Sequence, residues 1–489
     1  MSETCSPEPA VRLRLRSRIV PVLFALATGI LLRFVVGLEP VPYLAWVVPA
    51  LLLWGVLQAE GIPWRLLVIA TCLIGYQANA VYYLRVMPMA IACTVVAGQS
   101  LLWLFVLAET RRVVLRVRRP WTMLAYPVFW VAVDTLLANF APDGNWASLA
   151  YTQADFLPLI QTASLFGVSG VLFLLCLASS AIAVSLVLGL RGRENRIMLA
   201  GTMVLIAAAL VFGTIRLQSP PAAKRIPIGI ASIDDAIGLQ AQAPYIARIQ
   251  AAYDAQLAAL ASAGARLVLL PEKIAVVSAA DAPAWRERFA ASALRHRISI
   301  LVGIGVQHKD GIANDAWLFS PDGSLDAVYQ KQILAPPERA GYLAGHKSIA
   351  RDIEGTRFGI AICKDMHFAT LGRTYGELHP AAMLVPAWDF SLDGWMGARM
   401  TALRGIENGF TVVRAAREGL LTVTDAYGRI VAEADSKALP GQRLWMSVPV
   451  DPQLPKLYTR IGNCLGWLCV AIGAYLMWFS RTKPKAMAA

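Results

Sequence analysis

A chain of 489 residues that is 57% hydrophobic and only 16% charged, with a mean hydropathy of +0.54, is too apolar for an ordinary soluble protein and long enough for two or three domains. Its net charge of +13 could suggest a nucleic-acid binder, but the basic residues crowd beside apolar runs: Arg12, Arg14, Arg16 and Arg18; Arg111, Arg112, Arg116, Arg118 and Arg119; Arg191, Arg193 and Arg196; Arg481, Lys483 and Lys485. The polar middle of the chain is close to charge-balanced, so membrane topology accounts for the excess and an electrostatic footprint for DNA does not.

A hydrocarbon core about 30 Å thick needs about 20 apolar residues per helix. Segments near 18–37, 41–58, 64–83, 88–109, 121–138, 164–190, 197–216 and 461–480 meet that need and predict about eight spans. The first follows an Arg-rich stretch but lacks a small-x-small cleavage site, and reads as an uncleaved anchor. Alternating the loops puts both termini and the 110–120 and 191–196 loops on one side with the arginines. By the positive-inside rule that side is cytoplasmic, and the polar insert faces outward. The outward loop 139–163 mixes Trp146, Tyr151 and Phe156 with polar groups. It reads either as a connector anchored at the headgroups or as a segment shaping lipid entry beside the outer domain.

The insert alternates strands (227–233, 266–272, 299–306, 315–321, 358–363, 381–388, 411–416, 419–431) with helical periodicity over 242–263 and 394–408. This predicts three parts: transmembrane helices over 1–217, a layered α/β domain over 222–452, and a last span over 461–480.

Of the chain's 7 cysteines, Cys363 is the one in the insert; Cys5, Cys72, Cys93, Cys176, Cys464 and Cys469 lie elsewhere. A lone thiol in an oxidising compartment is either buried and inert or kept for its reactivity. The strand before Cys363 ends at a turn carrying Lys364 and Asp365, which sets the sulfur at the edge of a charged site. Two other strand ends carry ionisable groups. Glu272 closes the apolar run RLVLLPE, where a partly desolvated carboxylate suits a base, and Lys331 follows DAVYQ, where a cation could stabilise an oxyanion. The insert has no Cys-x-x-Cys or His-Glu-x-x-His for zinc, and no phosphate loop, dinucleotide fingerprint or Gly-x-Ser-x-Gly.

Pro271-Glu272, Tyr329-Gln330-Lys331 and Ile362-Cys363 match, in order, the Glu-Lys-Cys pattern of the nitrilase (carbon–nitrogen hydrolase) superfamily. With NDAWLFSPDGSLDAVYQK, RGIENGFTVVRAAREG and PLIQTASLFGVSGVLFLL, and the domain lying before the last span, the chain resembles the apolipoprotein N-acyltransferase family. That resemblance implies an αββα sandwich beside a helical membrane bundle in the bacterial inner membrane, with the domain on the periplasmic side. It implies that Glu272 takes the thiol proton, that Cys363 attacks a phospholipid ester, and that Lys331 and a backbone N–H near residue 364 hold the oxyanion. The thioester would then pass its acyl chain to the amine of a diacylglyceryl-cysteine at a lipoprotein N-terminus. Glu338 and Glu407 match carboxylates that orient such sites. No metal or cofactor is implied, because the thioester carries the acyl group.

Three features depart from the family pattern. Lys364-Asp365 stands where the family has Tyr-Glu, the segment from Lys331 to Cys363 is short, and VPAWDF lacks the family's asparagine. They leave open an amidase of the same superfamily, or an acyltransferase for another amine. A Cys363–His367 dyad oriented by Asp365 is a further reading, as is a silent lipid-binding protein or a transporter resting on Arg33 and Asp134.

Overall fold

The computed structural model describes residues 8–59, 63–146, 148–189, 192–220, 222–450, 454 and 457–482. Cys5, Arg191, Lys483 and Lys485 lie outside the described residues.

All eight apolar segments are helical. The N-terminal bundle runs α1 (Glu8–Val36), α2 (Leu44–Gln58), α3 (Trp64–Gly75), α4 (Gln77–Val86), α5 (Met89–Val117), α6 (Ala125–Phe140), the one-turn α7 (Leu157–Ile160), α8 (Ala163–Leu188) and α9 (Arg193–Leu217). Six helices among the described residues, one of them near the C-terminus, are long and apolar enough to cross a membrane. The segment expected as the third span consists of α3 and α4, which meet at 59°. The bend falls at Tyr76 (φ −83°, ψ 6°), whose hydroxyl is pinned by Trp103 Nε1 at 3.1 Å. A second break lies in α8 at Gly167, where φ 63° and ψ −166° are open to glycine.

Two sheets follow. One contains β1 (Arg225–Ser232), β2 (Leu267–Leu269), β3 (Ala275–Ser278), β4 (Ser299–Gln307), β5 (Ile312–Phe319), β6 (Leu325–Gln330), β7 (Tyr342–Leu343) and, from the end of the domain, β14 (Gln442–Pro449). The other is β8 (Ile349–Ile353), β9 (Thr356–Ile360), β10 (Ala382–Trp388), β11 (Thr411–Arg417), β12 (Leu420–Thr424) and β13 (Ile430–Asp435). The order β14-β1-β2-β4-β5-β6 pairs the first strand antiparallel with the last, Arg225 opposite Pro449, which brings the chain's entry and exit side by side.

Alternation along the strands builds the layers. Ile228 and Ile230 of β1 and Leu301 of β4 point inward against Phe358, Ile360, Leu384 and Val413 of the second sheet. Ala231, Ile300, Val302 and Ile304 point outward beneath α10 (Ala243–Ser262) and α11 (Ala282–His296), where Tyr253, Leu257 and Phe289 cover them. The second sheet is covered by α12 (Ala369–Glu377) and α13 (Gly394–Asn408), giving the αββα sandwich. The helix α13 has two buried sides. Met396, Met400, Leu403 and Ile406 belong to the same apolar core as α8 and the other helices of the bundle, so the α/β domain is seated on the bundle. The short α14 (Leu457–Ile461) then leads to the last apolar helix, α15 (Cys464–Thr482), which packs on α6.

Candidate active site

The ends of three strands bring Glu272, Lys331 and Cys363 toward one place. Glu272 follows β2, held by its N–H on Ala387 O (3.3 Å) and by Arg417 Nε donating to its carbonyl (3.1 Å). Gly303 on β4 passes directly behind it: a Cβ there would stand 2.6 Å from the Glu272 Cα. Lys331 follows β6, and its N–H donates to Asn314 O (2.8 Å) on the neighbouring strand. Cys363 opens the 3₁₀ turn Cys363–His367 after β9, in a left-handed conformation (φ 47°) that a non-glycine residue adopts under constraint.

The charges interlock in a buried cluster. Lys331 Nζ lies 2.8 Å from Glu272 Oε1 and 2.8 Å from Glu338 Oε2. Asn314 Nδ2 donates to Glu272 Oε1 (2.6 Å) and to Glu338 Oε1 (2.9 Å). Glu272 Oε2 is buried without a hydrogen-bond partner, which leaves one oxygen of the carboxylate available to a proton. Burial alone would lower the Lys331 pKa, but Glu272 and then Glu338 outweigh it and hold the ammonium charged. Burial opposes ionisation of Glu338, yet Lys331 and Lys273 together keep it well below the usual carboxylate range. The Cys363 thiol is pushed well up, first by burial and next by Glu272, with Lys331 and Arg414 pulling the other way. The resting sulfur is therefore a thiol whose ionisation needs a proton acceptor at hand. It is directed at Trp388 O, 3.6 Å away.

Asp365 holds the turn. Its Oδ1 accepts from the N–H groups of Gln332 (3.1 Å) and Ile333 (2.8 Å), and its Oδ2 from Ile362 N–H (3.0 Å) and Tyr329 Oη (2.7 Å). With both oxygens committed to the lysine and cysteine segments, Asp365 does not orient His367, and the dyad reading loses its third member. His367 is buried with Nε2 unpartnered, and burial followed by Arg414 and Lys364 depresses its pKa well below the ordinary histidine value. Lys364 reaches away from the cluster to form an ion pair with Asp143 of the 139–163 loop.

Glu407 does not join this cluster, which corrects the expectation that it orients the base, lysine or cysteine. It lies on the opposite side of α13, where Oε1 accepts the Val168 N–H (3.0 Å) freed by the break in α8 and Oε2 faces Arg404 Nε (3.2 Å). The physical reason is helical spacing: α13 is buried on two faces, and position 407 falls on the one toward the bundle. Sequence reading missed Lys273, a second cation 2.5 Å from Glu338 Oε1 and set between the rings of Tyr342 (4.6 Å) and Trp388 (5.0 Å). Its signal was adjacency to Glu272. Among the described residues no group of three His, Cys, Asp or Glu side chains could hold a metal ion.

Cys363 opens onto an apolar cavity of about 310 Å³ between the domain and the bundle, walled by α4, α5, α6 and the start of the 139–163 loop. That loop is thus no plain connector. Besides Asp143, it lays Trp146 against the His367 ring (5.3 Å) and Asp155 against Arg399 Nε (2.6 Å). The transporter candidates part company: Asp134 accepts from Asn145 Nδ2 (2.8 Å), while Arg33 is exposed on α1.

Comparison with known proteins matches both parts of the chain. The family model for the apolipoprotein N-acyltransferase N-terminal domain covers residues 28–181, and that for carbon–nitrogen hydrolase covers residues 230–439. An apolipoprotein N-acyltransferase of Geobacter metallireducens is 25% identical over 391 residues, 71% of this chain and 72% of that protein. One of Bradyrhizobium diazoefficiens is 25% identical over 416 residues, covering 73% and 74%. Among solved structures, an amidase of the nitrilase superfamily from Nesterenkonia aligns at TM-score 0.42 and 21% identity, over 49% of this chain and 95% of its own. With a membrane bundle and a sandwich each matched by the corresponding family model, the chain belongs to the apolipoprotein N-acyltransferase family as a divergent member.

Proposed function

We propose that the protein moves a fatty acyl chain from a phospholipid to the N-terminal amine of a diacylglyceryl-cysteine lipoprotein, through a thioester on Cys363. The observation that carries this reading is the position of Cys363, near enough to the buried Glu272–Lys331 pair to feel both charges and on an apolar cavity walled by membrane helices. A water-soluble amide substrate would have no use for such walls, which favours the transferase over an amidase.

In this reading Glu272 Oε2 takes the thiol proton as Sγ bonds to the ester carbonyl carbon. Lys331, with a backbone N–H near residue 364, faces the tetrahedral oxyanion. The C–O bond breaks, the lysophospholipid alkoxide leaves with the proton held by Glu272, and the thioester remains. The acceptor amine then attacks, gives a proton to Glu272, and the thiolate leaves and recovers it. Glu338 and Asn314 position Lys331 and Glu272, Asp365 positions the two loops, and Lys364 with Asp143 ties the turn to the membrane domain. The arginine-flanked spans support an orientation with the domain on the periplasmic side of the inner membrane.

The test is the intact mass of detergent-purified protein incubated with phosphatidylethanolamine and no acceptor. A fatty-acyl increment, removed by hydroxylamine and missing from Cys363→Ala, is the expected result. An unchanged mass with no lysolipid released would count against the phospholipid donor.

A further inference from the structure

Asp393 sits at the N-cap position of α13, where an aspartate ordinarily accepts an N–H of the first helical turn. Here it makes no such bond. Its Oδ2 instead accepts the hydroxyl of Tyr82 from the bent span (2.7 Å), and its Oδ1 is buried without a partner at the wall of the cavity onto which Cys363 opens. The side chain is 6% exposed. Three carboxylates line that cavity, Asp134, Asp143 and Asp393, and among the described residues only Asp393 leaves a buried oxygen unpartnered.

The neighbouring cations are already matched. Arg414 is paired with both oxygens of Asp389, and Lys364 with Asp143. Burial and then the Asp389 carboxylate push the Asp393 carboxyl well up, against the weaker opposing pull of the Tyr82 hydroxyl and of Arg414. Around it stand aromatic walls: Tyr82 stacks on Trp146 with centroids 6.1 Å apart, and Phe390 lies against Trp388 at 4.4 Å. An ammonium group donating to the unpartnered Oδ1 would supply a positive charge that favours the ionised carboxylate, and the aromatic faces around it suit a cation.

We propose that Asp393 receives a primary ammonium in the cavity beside Cys363, an inference that rests on the acyl-transfer reading for the source of that group. The hydrogen bond to Oδ1 selects a primary over a quaternary cation. Two sources share the chemistry, the α-amine of the acceptor and the ethanolamine headgroup of the donor lipid.

The first measurement is equilibrium binding to the Cys363→Ala protein, which needs no turnover. Dodecylammonium is expected to bind roughly ten-fold more tightly than dodecanol or dodecyltrimethylammonium, and Asp393→Asn, which keeps the Tyr82 contact, to remove that preference. Equal binding of the three probes, or a preference that survives Asp393→Asn, would overturn the inference. The second measurement separates the sources on protein with Cys363 intact. If Asp393→Asn slows discharge of the thioester by a primary amine roughly ten-fold more than it slows loading, the group is the acceptor amine. If it slows loading from phosphatidylethanolamine by that margin over loading from phosphatidylglycerol, the group is the headgroup. Equal slowing of all three steps would again overturn it. Failure of the unsubstituted protein to load at all would instead sink the acyl-transfer reading, with the binding comparison still deciding the role of Asp393.

Discussion

The Tyr329 hydroxyl donates to Asp365 Oδ2 across 2.7 Å, which ties the strand that delivers Lys331 to the turn that delivers Cys363. The same carboxylate gathers three backbone N–H groups, so one side chain fixes the spacing between cation and sulfur. Asp365→Ala would leave four donors unpaired, two buried and two half-buried, and is expected to destabilise the domain by on the order of 3 kcal/mol. Thioester formation should fall further than the unfolded fraction explains, measured by thermal unfolding beside intact mass. Asp365→Asn, which can accept but carries no charge, should restore part of both.

The two lysines of the carboxylate cluster, Lys331 and Lys273, should separate by function. Lys331→Met removes the cation that faces Glu272, leaving that carboxylate buried with Lys273 Nζ at 3.8 Å as its nearest ion-pair partner. Thioester formation is expected to drop by about 10² to 10³. Lys273→Met removes a cation held by Glu338 and two aromatic rings, and a smaller loss, about ten-fold, is expected. Single-turnover loading from one phospholipid compares them.

If Cys363 takes an acyl group as proposed, the cavity should limit which chain reaches the sulfur. Gly98 on α5 lines it, and a Cβ built there meets nothing within 4 Å. Gly98→Phe should therefore fill the cavity without clashing with the helix packing. Loading from long-chain phospholipids is expected to fall about ten-fold or more relative to short-chain ones, read by competing the two donors in one mass measurement.

Glu407 gives a pH signature. Burial raises its pKa to about 7, with Arg404 and the Val168 N–H opposing. An acid raised on folding contributes stability that is fully present below its unfolded value near 4.5 and lost as pH rises through 7. That amounts to on the order of 3 kcal/mol between those limits. Glu407→Gln should flatten the pH dependence of the unfolding midpoint across that window, with little change in the pH profile of loading.

The site was legible in the sequence to the extent that it is carried by strand ends. Glu272, Lys331 and Cys363 each follow a strand, and the two facing sheets of the layered α/β domain bring the ends of β2, β6 and β9 together. Glu338 was readable only through resemblance, since the residues around it have no regular period. Lys273 had only its adjacency to Glu272 as a signal, and Asn314 had none, because their roles arise from the turn after β2 and from pairing across β5 and β6.

By itself the sequence determined where the apolar helical segments lie, since hydrocarbon thickness sets a length that local composition must meet; among the described residues six of the resulting helices have that length, and the segment 64–83 is broken in two. It determined the alternating strands and helices of the domain, because period-2 and helical burial patterns are written residue by residue, and it marked the lone thiol of the insert. The tertiary structure alone decided the rest. It bent the third span at Tyr76 so that Tyr82 meets Asp393, turned Glu407 from the thiol to the break in α8, and set the cavity between α4, α5, α6 and the domain. Each of these joins residues more than two hundred positions apart, or lies between two bodies, and no local pattern of hydrophobicity specifies which side chain a distant helix will present.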